Sequence, residues 1–168
     1  DKYPCLQGGF VWDWVDQSIK TTDENGTEYL AYGGDFGENP HDGHFCGNGL
    51  LFGDREITPK LAEIKKLYQN VDFKAIDAER GIIEIKNKFL FTNLNHYDLY
   101  WCQCSDKGIF ADGTIHIELE PFEKTTINLE LAKASSTEYY LNLELREKED
   151  TAYCKAGHIV AQEQFIIN

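Results

Sequence analysis

The chain has 168 residues, of which 42% are hydrophobic and 27% charged, a composition that suits one soluble domain or one and a fraction. Acids outnumber bases 29 to 16, for a net charge of −13, which argues against nucleic acid because phosphate binding needs a concentrated positive surface. No apolar run approaches the roughly 18–20 residues of a membrane span, and no basic-then-apolar leader is present. Met is absent, so the chain is expected to be a piece of a longer protein.

The first informative stretch is Gly8-Gly9-Phe10-Val11-Trp12-Asp13-Trp14-Val15-Asp16-Gln17. Read as a strand, it puts Trp12 and Trp14 on one face and Val11, Asp13 and Val15 on the other. Large flat rings interleaved with carboxylates suit a sugar pocket, where a ring packs on the apolar C–H face and acids grip hydroxyls. A buried strand that merely holds two tryptophans is the alternative. Asp23-Glu24-Asn25-Gly26 then predicts a turn between hairpin arms at Ser18–Thr22 and Thr27–Ala31. Residues 1–57 as a whole read as one buried strand followed by long Gly- and aromatic-rich loops, with Gly33-Gly34-Asp35-Phe36-Gly37 free to approach something closely. His41, Asp42, His44 and Cys46 imitate a zinc site, but their irregular spacing in a Gly-rich loop favours a structural or rim role.

Thr58-Pro59 predicts a helix start, with Leu61, Ile64, Leu67 and Tyr68 at helical spacing and an end near Gln69–Asn70. Beyond residue 70 the period becomes two. Leu99/Trp101, Ile115/Ile117/Leu119, Ile127/Leu129/Leu131 and Tyr139/Leu141/Leu143/Leu145 each mark one apolar face. Arg80-Gly81 and Asp112-Gly113 read as tight turns. About seven short strands of this kind predict an antiparallel sandwich with Trp101 on a middle strand as its central packing residue. The odd count of five cysteines and their uneven spacing do not form a disulfide framework; five buried free thiols in a reducing compartment are expected. Cys102 and Cys104 share a face and lack the C-x2-C form of a zinc knuckle. His96, His116 and His158 read as surface or satisfied core residues.

Leu6-Gln7-Gly8-Gly9-Phe10-Val11-Trp12-Asp13-Trp14-Val15-Asp16-Gln17, Ala31-Tyr32-Gly33-Gly34-Asp35-Phe36-Gly37 and Phe45-Cys46-Gly47-Asn48-Gly49-Leu50 follow one another in an order that resembles the family 2 β-galactosidases of the bacterial lac type. The likeness continues through Asp54-Arg55, the Pro59 helix and Ala156-Gly157-His158. It is specific in the first 57 residues and generic in the sandwich, which is placed by its position.

The resemblance implies a mainly β fragment. Residues 1–70 would be the C-terminal portion of a TIM (β/α)8 catalytic barrel, meaning its last strand, active-site loops and final helix. Residues 71–168 would be an immunoglobulin-like β-sandwich linker domain. The implied reaction is retaining hydrolysis of terminal β-D-galactose from β-galactosides such as lactose, using two glutamates about 5 Å apart. Their motifs are not found here, so no catalytic residue is expected in this chain, which alone should be inactive. Asp13 and Asp16 are expected to accept hydrogen bonds or pair with an arginine at the barrel rim.

By resemblance, Trp12 forms a wall of the galactose site. Phe45, through its backbone carbonyl, and Asn48, through its side-chain oxygen, are sodium ligands, although Asn48-Gly49 alone could be only a turn. Na+ and Mg2+ are the implied cofactors, with magnesium ligands elsewhere in the longer chain and His41 at most near that ion's outer sphere. Gly47 replaces a methionine of some relatives and would open the wall beside the second sugar. The implied partners are a β-galactoside, the remaining domains of the polypeptide and further copies of it in a homo-oligomer; nucleic acid and membranes are not expected, and a cytoplasmic location is. A non-catalytic carbohydrate-binding or structural sandwich is the alternative for the whole.

Overall fold

A computed structural model describes residues 3, 5, 6, 8–133 and 139–167. Gln7 of the opening motif lies outside them. The chain forms two compact units, Asp1–Leu67 and Tyr68–Asn168.

In the first unit the expected hairpin forms, with β1 (Ile19–Thr22) antiparallel to β2 (Glu28–Ala31). Asp23 closes the turn: its Oδ1 accepts the amides of Asn25 and Thr27, each at 2.8 Å. A short 3-10 helix, Gly43–Cys46, follows. Helix α1 (Pro59–Leu67) starts at the expected proline and ends two residues before Gln69. Thr58, read as a helix cap, donates its hydroxyl to the Leu50 carbonyl at 2.6 Å and is itself buried.

The stretch 10–15 departs from its expectation. It is no buried strand: only Val15 forms a bridge, parallel to Leu51, and Phe10, Trp12 and Trp14 are 104%, 76% and 57% exposed. A parallel strand is completed by neighbours running alongside it. Among the described residues, only the segment 46–51 lies beside this one. The Trp12–Asp13 peptide is cis.

The second unit is an antiparallel sandwich, and the chain is mainly β. One sheet has the order β3 (Val71–Asp77), β4 (Ile82–Asn87), β7 (Lys124–Asn128). The other has the order β6 (Gly108–His116), β5 (Tyr97–Ser105), β8 (Tyr139–Glu147), β9 (Ile159–Ile167). Alternation puts Val71, Phe73, Ile83 and Ile85 of the first sheet against Leu99, Trp101, Leu141, Leu143 and Leu145 of the second, all in one buried cluster. Ile117, Leu119 and Leu129 lie past the strand ends yet keep the alternation and are buried.

Trp101 occupies the expected place, on a strand flanked on both sides and 8% exposed. Asp112-Gly113 is not a turn; both residues sit inside β6, paired with Cys102 and Trp101. The glycine is needed for space, since a Cβ on Gly113 would lie 2.8 Å from the Trp101 indole nitrogen. Gly81, by contrast, does take a positive φ of 70° in its turn.

Two amides hold the sandwich interior. Asn87, fully buried, donates to the Thr92 and Leu119 carbonyls at 2.9 and 3.0 Å and accepts the Phe89 amide at 2.9 Å. Gln103, also fully buried, exchanges a pair of hydrogen bonds with the backbone of Ala132 at 3.0 and 2.9 Å. All five cysteines are free, but only Cys102 is buried; Cys5 is exposed and the others are half-buried. Cys104 lies on the outer sheet face, Cys46 ends the 3-10 helix and Cys154 lies in a loop, so their thiols stay partly open to solvent.

Candidate functional site

The residues singled out in the first unit are drawn together by backbone lacing between 13–17 and 46–51. The Asp13 amide donates to the Asn48 carbonyl at 3.1 Å, the Asp16 amide to Leu51 at 2.9 Å and the Gln17 amide to Cys46 at 2.9 Å. In return, the Leu50 and Leu51 amides donate to Trp14 at 3.1 and 3.0 Å. The Trp12–Asp13 peptide therefore lies directly against Asn48. Asn48 in turn donates its side-chain Nδ2 to the Phe45 carbonyl. Trp12, Phe45 and Asn48 belong to one small region, with the Trp12 indole and the Phe45 ring largely in the open.

Asp13 and Asp16 accept hydrogen bonds within this region. Asp13 Oδ1 takes the Trp14 amide at 2.6 Å, and its Oδ2 takes the Gln17 side-chain amide at 2.8 Å. Asp16 Oδ1 takes the Gly49 amide at 2.6 Å across 33 residues of chain. A carboxylate that accepts backbone N–H groups in this way fixes loop position.

Gly49 and Lys60 complete the scaffold and were not evident in the sequence. A Cβ on Gly49 would lie 2.1 Å from the Asp16 nitrogen and 2.6 Å from the Leu51 oxygen, while Lys60 Nζ donates to the Gly49 carbonyl. The only signal was Asn48-Gly49, which reads equally as a turn.

His41 does not join this group through any hydrogen bond described. Its Nδ1 accepts the Gly43 amide at 3.2 Å, and its ring closes on Gly34, where a Cβ would lie 3.0 Å away. Among the described residues, His41, Asp42, His44 and Cys46 form no cluster able to hold a metal ion. Glu38 organises the glycine loop instead, accepting the Gly34 amide at 2.6 Å and the Phe36 amide at 3.1 Å.

The Gly34 amide, foremost, holds the Glu38 carboxyl below its ordinary value of 4.5. The folded value is thus below the unfolded one, so the contribution to loop order is complete above 4.5 and is lost as pH falls through the lower folded value. The protection factors of the Gly34 and Phe36 amides against hydrogen exchange should therefore be high near neutral pH and fall in acid as Glu38 is protonated. Glu38→Gln should abolish that pH dependence; an unchanged profile in the variant would refute the role.

A family model described as "Beta-galactosidase, domain 4" matches residues 83–168, and one described as "Glycosyl hydrolases family 2, TIM barrel domain" matches residues 1–73. The chain belongs to glycosyl hydrolase family 2. It is 46% identical over 171 residues to a Beta-galactosidase of Priestia megaterium (strain DSM 319 / IMG 1521), with 99% of this chain and 16% of that protein covered. It is 40% identical over 168 residues to a Beta-galactosidase of Clostridium acetobutylicum (99% and 18%) and 39% identical over 165 residues to Beta-galactosidase 2 of Enterobacter cloacae (97% and 16%). The chain thus spans about a sixth of the length of these curated relatives. No helix among the described residues is long and apolar enough to cross a membrane.

Within glycosyl hydrolase family 2, the lacing of 13–17 to 46–51 belongs to the part matched by the barrel model, and the sandwich from Ile83 onward to the part matched by domain 4. The open rings of Phe10, Trp12, Trp14 and Phe36 in the barrel-matched part form the apolar exposure expected of a segment read as part of a larger barrel.

Proposed function

We propose that the polypeptide containing this chain is a retaining β-galactosidase that removes terminal β-D-galactose, and that Trp12, Phe45 and Asn48 help bind the sugar. The observation that carries this reading is the contact of the Trp12–Asp13 peptide with Asn48, whose side chain meets the Phe45 carbonyl. It sets the backbone beside Trp12 against Asn48 and Phe45, in a chain whose curated relatives bear the name Beta-galactosidase.

In this reading the Trp12 indole packs on the apolar face of galactose and excludes water there. The pair of general acid/base and nucleophile carboxylates lies in other parts of the polypeptide.

The donor set fits a sodium ion. Asn48 now turns Nδ2 to the Phe45 carbonyl, and half a turn of its amide places Oδ1 beside that carbonyl instead. Two neutral oxygens then face one point, the donor type a hard cation takes. Bound there, the ion would help to orient a sugar hydroxyl. Magnesium ligands would come from elsewhere in the polypeptide, with His41 near its outer sphere through the ring nitrogen opposite Nδ1.

Residues 71–168 act as a structural module between domains. Two of its tyrosines are engaged rather than set out for binding: Tyr97 is buried and stacks on Phe89 at 5.8 Å, and Arg146 covers the Tyr100 ring at 3.8 Å.

The test is hydrolysis of a nitrophenyl β-galactoside by the full-length polypeptide. Trp12→Ala should lower kcat/KM by about 10- to 100-fold, the loss of roughly 1.5–3 kcal/mol of buried aromatic contact. Asn48→Ala should raise KM and remove any response to replacing sodium by choline. Wild-type kinetics in Trp12→Ala, or a sodium response that survives in Asn48→Ala, would overturn the assignment.

A further inference from the structure

The outer face of the four-stranded sheet carries two thiols that the reading above does not use. Cys102 and Cys104 are alternate residues of β5 and so project from the same face, away from Trp101 and Gln103. Both sulfurs receive the same nitrogen: Asn142 Nδ2, on neighbouring β8, lies 3.7 Å from Cys102 Sγ and 3.1 Å from Cys104 Sγ. Cys104 also lies close enough to Cys102 to act on its thiol. The Asn142 amide is held in this sense because its oxygen accepts Gln164 Nε2 from β9 at 2.8 Å. A relay across three strands therefore aims one donor at two sulfurs. Asp112 of β6 stands opposite Cys102, while Glu144 of β8, which also acts on Cys102, is held by Arg146 at 2.5 and 2.8 Å.

Strand geometry decides what two such thiols can do. Alternate residues of a strand repeat at about 6.6–6.8 Å, with side chains nearly parallel. A disulfide needs Cβ atoms about 3.8 Å apart and is therefore disfavoured. Two metal–sulfur bonds of about 2.3 Å span about 4.6 Å, which small side-chain rotations reach. Among the described residues no third His, Cys, Asp or Glu joins to make a larger ligand group, so an ion that demands four ligands is poorly served. A soft monovalent d10 ion is satisfied by two thiolates.

We propose that Cys102 and Cys104 form a two-thiolate site for Cu(I), with Asn142 as its positioning residue. Two S–H protons pass to solvent as two Cu–S bonds form, and no electron is transferred. The Asn142 N–H donor steadies the thiolates, and the Asp112 carboxylate favours the arriving cation.

The experiment is a competition titration of the full-length polypeptide with Cu(I) against a chromophoric Cu(I) chelator. It is paired with iodoacetamide labelling and peptide mass mapping in the presence and absence of Cu(I). The parent should hold one tight Cu(I) more than either Cys102→Ser or Cys104→Ser, and Asn142→Ala should weaken that equivalent about tenfold or more. Cu(I) should protect residues 102 and 104 together in the parent. Equal Cu(I) uptake by the parent and the variants overturns the proposal. So does retention of the equivalent in one single variant, or independent labelling of the two residues. Because the labelling uses the parent protein, it stands even where a serine variant fails to fold.

Discussion

Gly49→Ala in the full-length polypeptide is expected to lower kcat/KM on a nitrophenyl β-galactoside by about a hundredfold or more, since misplacement of site groups by about 1 Å costs that much. The added methyl would lie 2.1 Å from the Asp16 nitrogen, 2.5 Å from the Val15 carbonyl carbon and 2.6 Å from the Leu51 oxygen. All three are backbone atoms, and the segments that carry them are the two whose lacing positions Trp12 and Asn48. Neither can yield without giving up bonds such as Asp16 to Leu51 at 2.9 Å or Gly49 to Asp16 at 2.6 Å. Overpacking of this kind costs about 1–3 kcal/mol, and each lost hydrogen bond about 1 kcal/mol more. The effect should appear chiefly at the site, because the three atoms nearest the methyl all belong to the laced segments. Steady-state kinetics and a melting curve on the same sample check it. Parent-like kinetics would mean that this lacing does not position the sugar-binding groups.

Asn87→Ala is expected to destabilise the second unit by about 3–5 kcal/mol, because each buried group left unpaired costs about 1–3 kcal/mol. The Thr92 carbonyl and the Phe89 amide lose the Asn87 side chain as partner, and the Leu119 carbonyl keeps only the Leu94 amide at 3.0 Å. These lie on separate stretches that follow β4 and β6, so the one side chain ties two connections together. The Asn87 backbone adds to the same junction, donating to Glu123 at 3.0 Å and accepting from Phe122 at 3.1 Å. Asn87→Asp is the informative partner variant. Its carboxylate can still accept from Phe89 but cannot donate to the two carbonyls, and it brings a charge into a fully buried position. Both variants should unfold at markedly lower denaturant concentration, while the fraction that remains folded should keep its specific activity. A folded Asn87→Ala protein without activity would contradict a purely structural role for the sandwich.

The sequence by itself determined whatever rests on local chemistry or strict alternation. The 19–31 hairpin was legible because Asp23 and Gly26 meet the needs of the turn without help from elsewhere. The two-residue period was legible even at Ile117 and Leu129, which are buried though they lie beyond their strands. The ordered motifs of residues 6–50 carried the family.

Tertiary structure decided what depends on neighbours far along the chain. Asp112-Gly113 has the composition of a turn, yet the glycine exists to make room for the Trp101 ring, which no window of adjacent residues can reveal. The stretch 10–15 has the pattern of a strand, but a strand is a relation between segments, and among the described residues Val15 bridges only to Leu51. The bond from Gly49 to Asp16 spans 33 residues, and the shared grip of Asn142 on Cys102 and Cys104 joins residues 40 and 38 apart. Such contacts depend on where folded backbones cross, so the sequence names the chemical groups while the fold selects which of them meet.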